Sequence, residues 1–289
     1  MRQAFFARLA AASLLAASCL AADPFFLQRH LLDLKPQADD LTADARSAVY
    51  RPIFGVGDKD AGRLQGIARC GELTVGPGGA SAVVSYVAEE QIYYVLEGTG
   101  TLMYDDQRVP VKKDDFMYLP VTCRHGIANE GSSPVRVFVV GYRIPPGRAA
   151  PTTPRLLLAN SGEVPLQVLP SHGPSTQFRL LMGQTTSQRD RLAAASEMTS
   201  LFIMDFAPGG TNIPHSHAGE EEIYMLVRGS GEIVAGITPD GRDARHPVKE
   251  GAVFLWGPGT RVGYYSAAKE GEEHDVILAV RSRLPPAPR

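Results

Sequence analysis

The chain repeats itself. EEQIYYVLEGTGTLMYD, from Glu89 to Asp105, returns 131 residues later as EEEIYMLVRGSGEIVAG, from Glu220 to Gly236. A period that long holds a complete small domain, so the pattern predicts two copies of one fold in tandem. In the first copy, apolar runs such as GIARCGELTV, AVVSYV, IYYVLEG, DFMYLP and VRVFVVGYRI are short and bounded by Gly, Pro or acidic turn residues. With no long helical period between them, they read as an all-β barrel, and the second copy repeats the pattern.

The ends of the chain frame these domains. Residues 1–21, MRQAFFARLAAASLLAASCLA, run from a short positive region through an apolar stretch to small residues. This is the pattern of a secretory signal peptide, too short and alanine-rich for a dependable membrane span. Periplasmic or extracellular export is therefore expected. Lipid anchoring at Cys19 is the weaker alternative, because Leu15 stands one place too early for an acylation motif. Residues 22–61 read as an N-terminal arm with a short helix, 62–144 as the first barrel and 145–174 as a proline-rich connection. The second barrel follows at 175–283, and 284–289 is a tail. The formal charge of −2 becomes more negative once Arg2 and Arg8 leave with the leader, and no long basic run exists. Nucleic acid is thus not an expected partner. Beyond the leader only Cys70 and Cys123 remain, one in a strand and one in a loop, so two separate thiols are expected.

The chemistry concentrates in GTNIPHSHAGEEEIYMLVRG, from Gly210 to Gly229. His215 and His217 lie two apart, which on a strand projects both imidazoles from one face. Glu222 follows a short acidic turn, where a returning adjacent strand aims its carboxylate at the same point. Two neutral imidazoles and one carboxylate, with positions left open, suit a divalent transition metal that also binds substrate or oxygen. The spacing resembles the first motif of the cupin superfamily, G-x5-H-x-H-x(3,4)-E-x6-G, with Gly210, His215, His217, Glu222 and Gly229 all in register. The resemblance covers nearly all of the chain beyond the arm. It implies two tandem jelly-roll β-barrels, a metal on His215, His217 and Glu222, and pairing as a homodimer.

The second cupin motif, G-x5-P-x-G-x2-H-x3-N, is altered in this copy. Gly251 and Gly259 hold their places, but Gly257 takes the proline position, Val262 the histidine position and Ser266 the asparagine position. Valine cannot ligate, so the resemblance implies three protein ligands, similar to a 2-His-1-carboxylate triad. Tyr264, two residues on, shares the inward face of a regular strand, and His274 opens the last strand; either is a candidate replacement for the missing ligand. Trp256 reads as a core residue, with the mouth of the pocket as the alternative. His172 and His246 read as exposed, Glu220 and Glu221 as solvated turn residues, and Arg261 as pointing outward.

Carried back by the repeat, the ligand positions of the first copy are Val84, Tyr86 and Gln91, so its metal site is dismantled. Its second motif keeps Asp114, Pro120, His125 and Asn129 at the Gly, Pro, His and Asn positions. His125 is expected as a hydrogen-bonded barrel residue. The alternative is a small polar pocket of Tyr86, Gln91 and His125.

The leading functional expectation is a metal-dependent enzyme on a small oxygenated metabolite, oxygenase-like or another cupin-type oxidoreductase or lyase. Iron or manganese is favoured, with zinc, nickel, copper and cobalt left open, and Tyr264 is the candidate proton donor. The alternative is a non-catalytic module in which the metal only orients a small ligand. A structural barrel pair is the third reading.

Overall fold

A computed structural model gives the fold of residues 25–151, 153, 155–170 and 172–285; residues 1–21, expected as a leader, and most of the expected tail at 284–289 lie outside them. The repeated run explains the architecture. A strand with one solvated face alternates apolar and polar residues, whereas Ile92–Val95 and Ile223–Leu226 are apolar throughout and buried on both faces. Tyr93 and Val95 face the interior of the first barrel with Leu73, Leu102 and Tyr104. Tyr224 and Leu226 face the interior of the second with Phe202, Trp256 and Tyr264. The alternate residues Ile92, Tyr94, Ile223 and Met225 share a third core, in which the two barrels pack back to back.

Among the described residues the structure is all-β, broken only by single 3-10 turns. In the second half a large sheet carries Thr176–Gln184, Met198–Phe206, Glu220–Arg228, Ala252–Trp256 and Asp275–Arg283. A four-stranded sheet of Thr211–Ser216, Arg261–Ser266, Ser230–Ile237 and Asp243–Lys249 forms the other layer. The nine-stranded sheet of the first half curls through the Ala80–Ala128 pairing to supply both layers.

Neither half closes its barrel alone, contrary to the simplest reading of the repeat. Phe26–His30, in the arm, pairs antiparallel with Ala252–Trp256 of the second barrel. Leu157–Asn160, in the proline-rich connection, pairs with Asp115–Leu119 of the first. Each half thus donates its first strand to the other. The arm holds the short 3-10 helices Leu31–Asp33 and Asp40–Thr42, and its strand Arg46–Gly55 joins the first barrel along Ile67–Ala80.

A pair of buried carboxylates fastens the halves together. Glu221 accepts the backbone N–H groups of Gln65, Gly66 and Ile67 at 2.8, 2.9 and 3.1 Å. Glu90 accepts those of Ser196, Glu197 and Met198 at 2.8, 2.8 and 2.9 Å. Under the repeat offset the two arrangements correspond residue for residue. Burial pushes both carboxyl pKa values up, against the pull of these donors. Glu221 is therefore no solvated turn residue; its side chain is sealed between the barrels. Cys70 and Cys123 are buried and unpaired.

Candidate metal centre

His215 is the penultimate residue of the strand Thr211–Ser216, and His217 follows just beyond the strand. Glu222 comes from Glu220–Arg228 in the opposite sheet, so the ligand strands face each other across the barrel and are not hydrogen-bonded neighbours. The three side chains come together with their donor atoms within 4.8 Å of one another. His215 donates its Nδ1–H to the carbonyl of Ile213 at 2.8 Å, which leaves Nε2 as a lone pair. That atom lies 3.0 Å from Nε2 of His217. Nδ1 of His217 faces Glu220 Oε2 at 3.4 Å, a carboxylate placed to orient the ring. Burial, followed by the charge of Arg281, holds His217 at a pKa of about 4, and burial also lowers that of His215. Both rings are neutral, as metal ligation requires.

Glu222 is 3% exposed, and its Oε2 has no hydrogen-bond partner. Burial raises its pKa to about 8, with Arg281 pulling the other way. The donor set opens on a cavity of about 380 Å³ whose lining includes Phe178, Leu180, Phe202 and Ile213.

Two residues at this cavity were not expected there. Arg281 sits opposite Glu222 in the strand register, with Nε 3.6 Å from Glu222 Oε1 and Nη1 3.4 Å from Glu220 Oε2. Its signal was in the sequence: Ile277 and Ala279 face the barrel interior, and Arg281 continues that phase. His172 is not an exposed connector residue. Its ring lies 4.8 Å from that of Phe178 and 5.3 Å from that of His215, and burial lowers its pKa to about 4.

The candidate replacements for the fourth ligand lie elsewhere. Tyr264 is fully buried, but its hydroxyl donates to Asp275 at 2.8 Å and its ring packs on Phe206, away from the cavity lining. Its expected part as a proton donor has no geometric basis. Burial and the bond to Asp275 raise its pKa far above the ordinary tyrosine value. His274 is half exposed and pairs with Asp205. Trp256 is a core residue, donating Nε1–H to the carbonyl of Val234 at 3.1 Å. Arg261 pairs outward with Asp243.

Family models match both halves: that of the cupin domain over residues 71–141, and a second cupin model over residues 182–285. The chain is a bicupin. It is 35% identical over 71 residues to an uncharacterised protein of Methanocaldococcus jannaschii, a match covering 25% of this chain and 57% of that one. It is 34% identical over 86 residues to a germin-like protein of Arabidopsis thaliana, covering 30% of this chain and 38% of that one. The bicupin thus spans about half or less of the curated relatives it matches. Among solved structures, a putative glyoxylate-induced protein from Pseudomonas aeruginosa superposes at a TM-score of 0.69 and 14% identity, covering 100% and 98% of the two chains. The oxalate decarboxylase of Bacillus subtilis, in a structure concerned with its Mn(II) centres, superposes at 0.63 and 12% identity, covering 90% and 78%. At these identities the likeness establishes the fold. Among the described residues no helix is long and apolar enough to cross a membrane.

In the first barrel of the bicupin the equivalent place is filled. His125 Nε2 donates to Gln91 Oε1 at 2.9 Å, and Gln91 Nε2 donates to Glu89 at 2.7 Å. Arg69 bonds Glu89 at 2.8 Å and reaches Asp39 and Asp40 of the arm at 3.0 and 2.6 Å. Tyr86 lies under the Arg69 guanidinium, 4.6 Å away. The arm therefore plugs the first barrel where the second is open.

Burial holds His125 at a pKa of about 4, against 6.5 for the free side chain. Because the folded state resists the proton, this contribution to stability is complete above pH 6.5 and is lost as the pH falls to 4. The full span corresponds to about 3 kcal/mol. Across that window the raised carboxyls of Glu222 and Asp39 act with the opposite sign, so the effect is read as a difference: the denaturation midpoint of His125→Gln relative to wild type is expected to rise as the pH falls from 6.5 to 4. His172 and His217 act with the same sign as His125, so the variant removes part of that loss; a difference constant with pH would mean His125 contributes nothing to it.

Proposed function

We propose that the bicupin is a metal-dependent enzyme whose second barrel holds a divalent transition metal on His215, His217 and Glu222 and acts, oxygenase-like, on a small oxygenated metabolite. One observation carries this reading. Glu222 is a buried carboxylate with an unpartnered oxygen, and two neutral imidazoles stand beside it. Leaving such a charge uncompensated is costly. Donors within 4.8 Å of one another fit a single cation with ligand bonds of roughly 2.0–2.2 Å. When bound, the metal would supply Lewis-acid or redox activation to a ligand in the cavity.

The protein's own residues do the rest. The Ile213 carbonyl fixes the tautomer of His215, and Glu220 steadies His217. Phe178, Leu180 and Phe202 give the open side apolar walls, and Arg281 presents a fixed cation next to it. Two nitrogens and one carboxylate favour iron or manganese. The Mn(II) centres of the B. subtilis neighbour support manganese by fold likeness. Export directed by residues 1–21 and pairing as a homodimer belong to the same proposal, from the sequence and from resemblance.

Elemental mass spectrometry of the purified chain tests it. About one equivalent of iron or manganese is expected, lost in His215→Ala and retained in His125→Ala, followed by oxygen consumption with the right substrate. A wild-type chain without stoichiometric metal would sink the reading. Stoichiometric metal with ligand binding but no turnover would favour the non-catalytic module.

A further inference from the structure

Three polar atoms at the cavity are buried without a hydrogen-bond partner: Glu222 Oε2, Arg281 Nε and His172 Nδ1. A metal answers the first. It cannot answer the second, which belongs to a cation, and His172 lies outside the set of donors that converge within 4.8 Å. Arg281 Nε, 3.6 Å from Glu222 Oε1, and His172 Nδ1 therefore remain beside the metal position without a hydrogen bond.

The charges say what is missing. With a divalent cation in place, Glu222 and Glu220 offset it. At the rim, Asp190 stands 3.7 Å from Arg189 and offsets that charge. The charge of Arg281 is left over. A guanidinium presents its N–H groups as a fork matched to the two oxygens of a carboxylate. Phe178, Leu180 and Phe202 give the lining a buried apolar part, and Ile213, 57% exposed, adds an apolar edge where the cavity meets solvent.

We infer that the cavity takes a small monocarboxylate with an apolar body, its charged end held by Arg281 and His172 beside the metal. The body lies against Phe178, Leu180, Phe202 and Ile213. This rests on the metal reading above and adds the class of ligand. A second carboxylate on the ligand would face the apolar lining, and the other cation there, Arg189, is already offset by Asp190, so dicarboxylates are disfavoured.

The connection between the barrels is what brings His172 here. The matching segment of the arm reaches the first barrel at the same place, where Asp39 and Asp40 meet Arg69. Both crossing segments thus deliver polar groups to the mouth of a barrel. The first fills its site from within the chain, and the second leaves a guanidinium and an imidazole to a ligand.

Calorimetric titration of the full metal-loaded chain with acetate, butanoate, hexanoate, hexanamide and oxalate is the test. Affinity is expected to rise about fourfold per methylene along the acid series, the effect of burying each group in an apolar cavity. Hexanamide should bind at least tenfold more weakly than hexanoate, and Arg281→Gln should abolish that ratio while metal content and melting temperature are monitored. Leu180→Ala serves as the second variant: it should weaken hexanoate several-fold and leave acetate unchanged. Affinity independent of chain length, oxalate tighter than hexanoate, or an intact acid-to-amide ratio in metal-loaded Arg281→Gln would each overturn the inference. A metal-free chain that still prefers hexanoate would sink the metal reading and leave the carboxylate cavity standing.

Discussion

Glu222→Gln is expected to strip the metal and, at the same time, to make the metal-free protein more stable at alkaline pH. The amide is isosteric but brings no negative charge, so metal affinity should fall by on the order of 100-fold or more; altering outer partners of a ligand alone costs about 10–100-fold. The stability effect follows from the pKa. Burial raises the Glu222 carboxyl to about 8 from 4.5, so the folded chain holds this proton more tightly than the unfolded one. The stabilising contribution is complete below pH 4.5 and is lost as the pH rises through 8. Above that, the ionised group costs about 5 kcal/mol by the size of the shift. Metal-free wild type and variant should melt together near pH 5 and diverge at pH 9, with the variant higher. The first barrel already carries this change: Gln91 stands in the corresponding place and spends both ends of its amide on His125 and Glu89. Chelator competition and melts at the two pH values check both halves. Retained metal would put the ligand elsewhere, and coincident melts at pH 9 would show that Glu222 is not the strained group.

Glu221→Ala should be among the most damaging single changes outside the core. It leaves the N–H groups of Gln65, Gly66 and Ile67 without their acceptor at a buried junction. Each unsatisfied buried group costs about 1–3 kcal/mol, so the loss should be about 3 kcal/mol or more. For domains of this size that is a fall in melting temperature of roughly 10 °C. Glu90→Ala should match it, because the same geometry recurs there with Ser196, Glu197 and Met198. The exposed Glu272→Ala is the control. A Glu221→Ala melt no lower than that control would show that the buried carboxylates do not hold the barrels together.

The repeat, the all-β class and the cluster of His215, His217 and Glu222 were legible because each rests on short-range spacing. A strand has a period of two, and residues two apart share a face whatever surrounds them. That rule also placed Tyr264 inward correctly, yet its hydroxyl is taken by Asp275. Facing the interior does not say which depth of the barrel a residue occupies. A bulge between Asn212 and His215 further changes the register on which such an estimate depends.

His172 was illegible for a different reason. It lies in a segment rich in proline and glycine, where no periodicity assigns a direction, and its position follows from where the chain crosses between barrels. Glu221 reads, with Glu220, as a solvated acid in the turn before Glu222. Only its alternation with Glu222 across the sheet, one facing the other barrel and one facing the cavity, separates their parts. Arg281 was readable, as a charge on the inward phase of an otherwise apolar strand.

The exchange of first strands bears on how such a protein can be inherited. A duplicated gene normally yields two modules that can be lost, shuffled or replaced one at a time. Here Phe26–His30 and Leu157–Asn160 each complete the barrel encoded by the other half. Replacing either half by a foreign barrel would carry away a strand that the remaining half needs. The two copies are therefore free to diverge in chemistry, as their sites have, while being bound to descend as one unit.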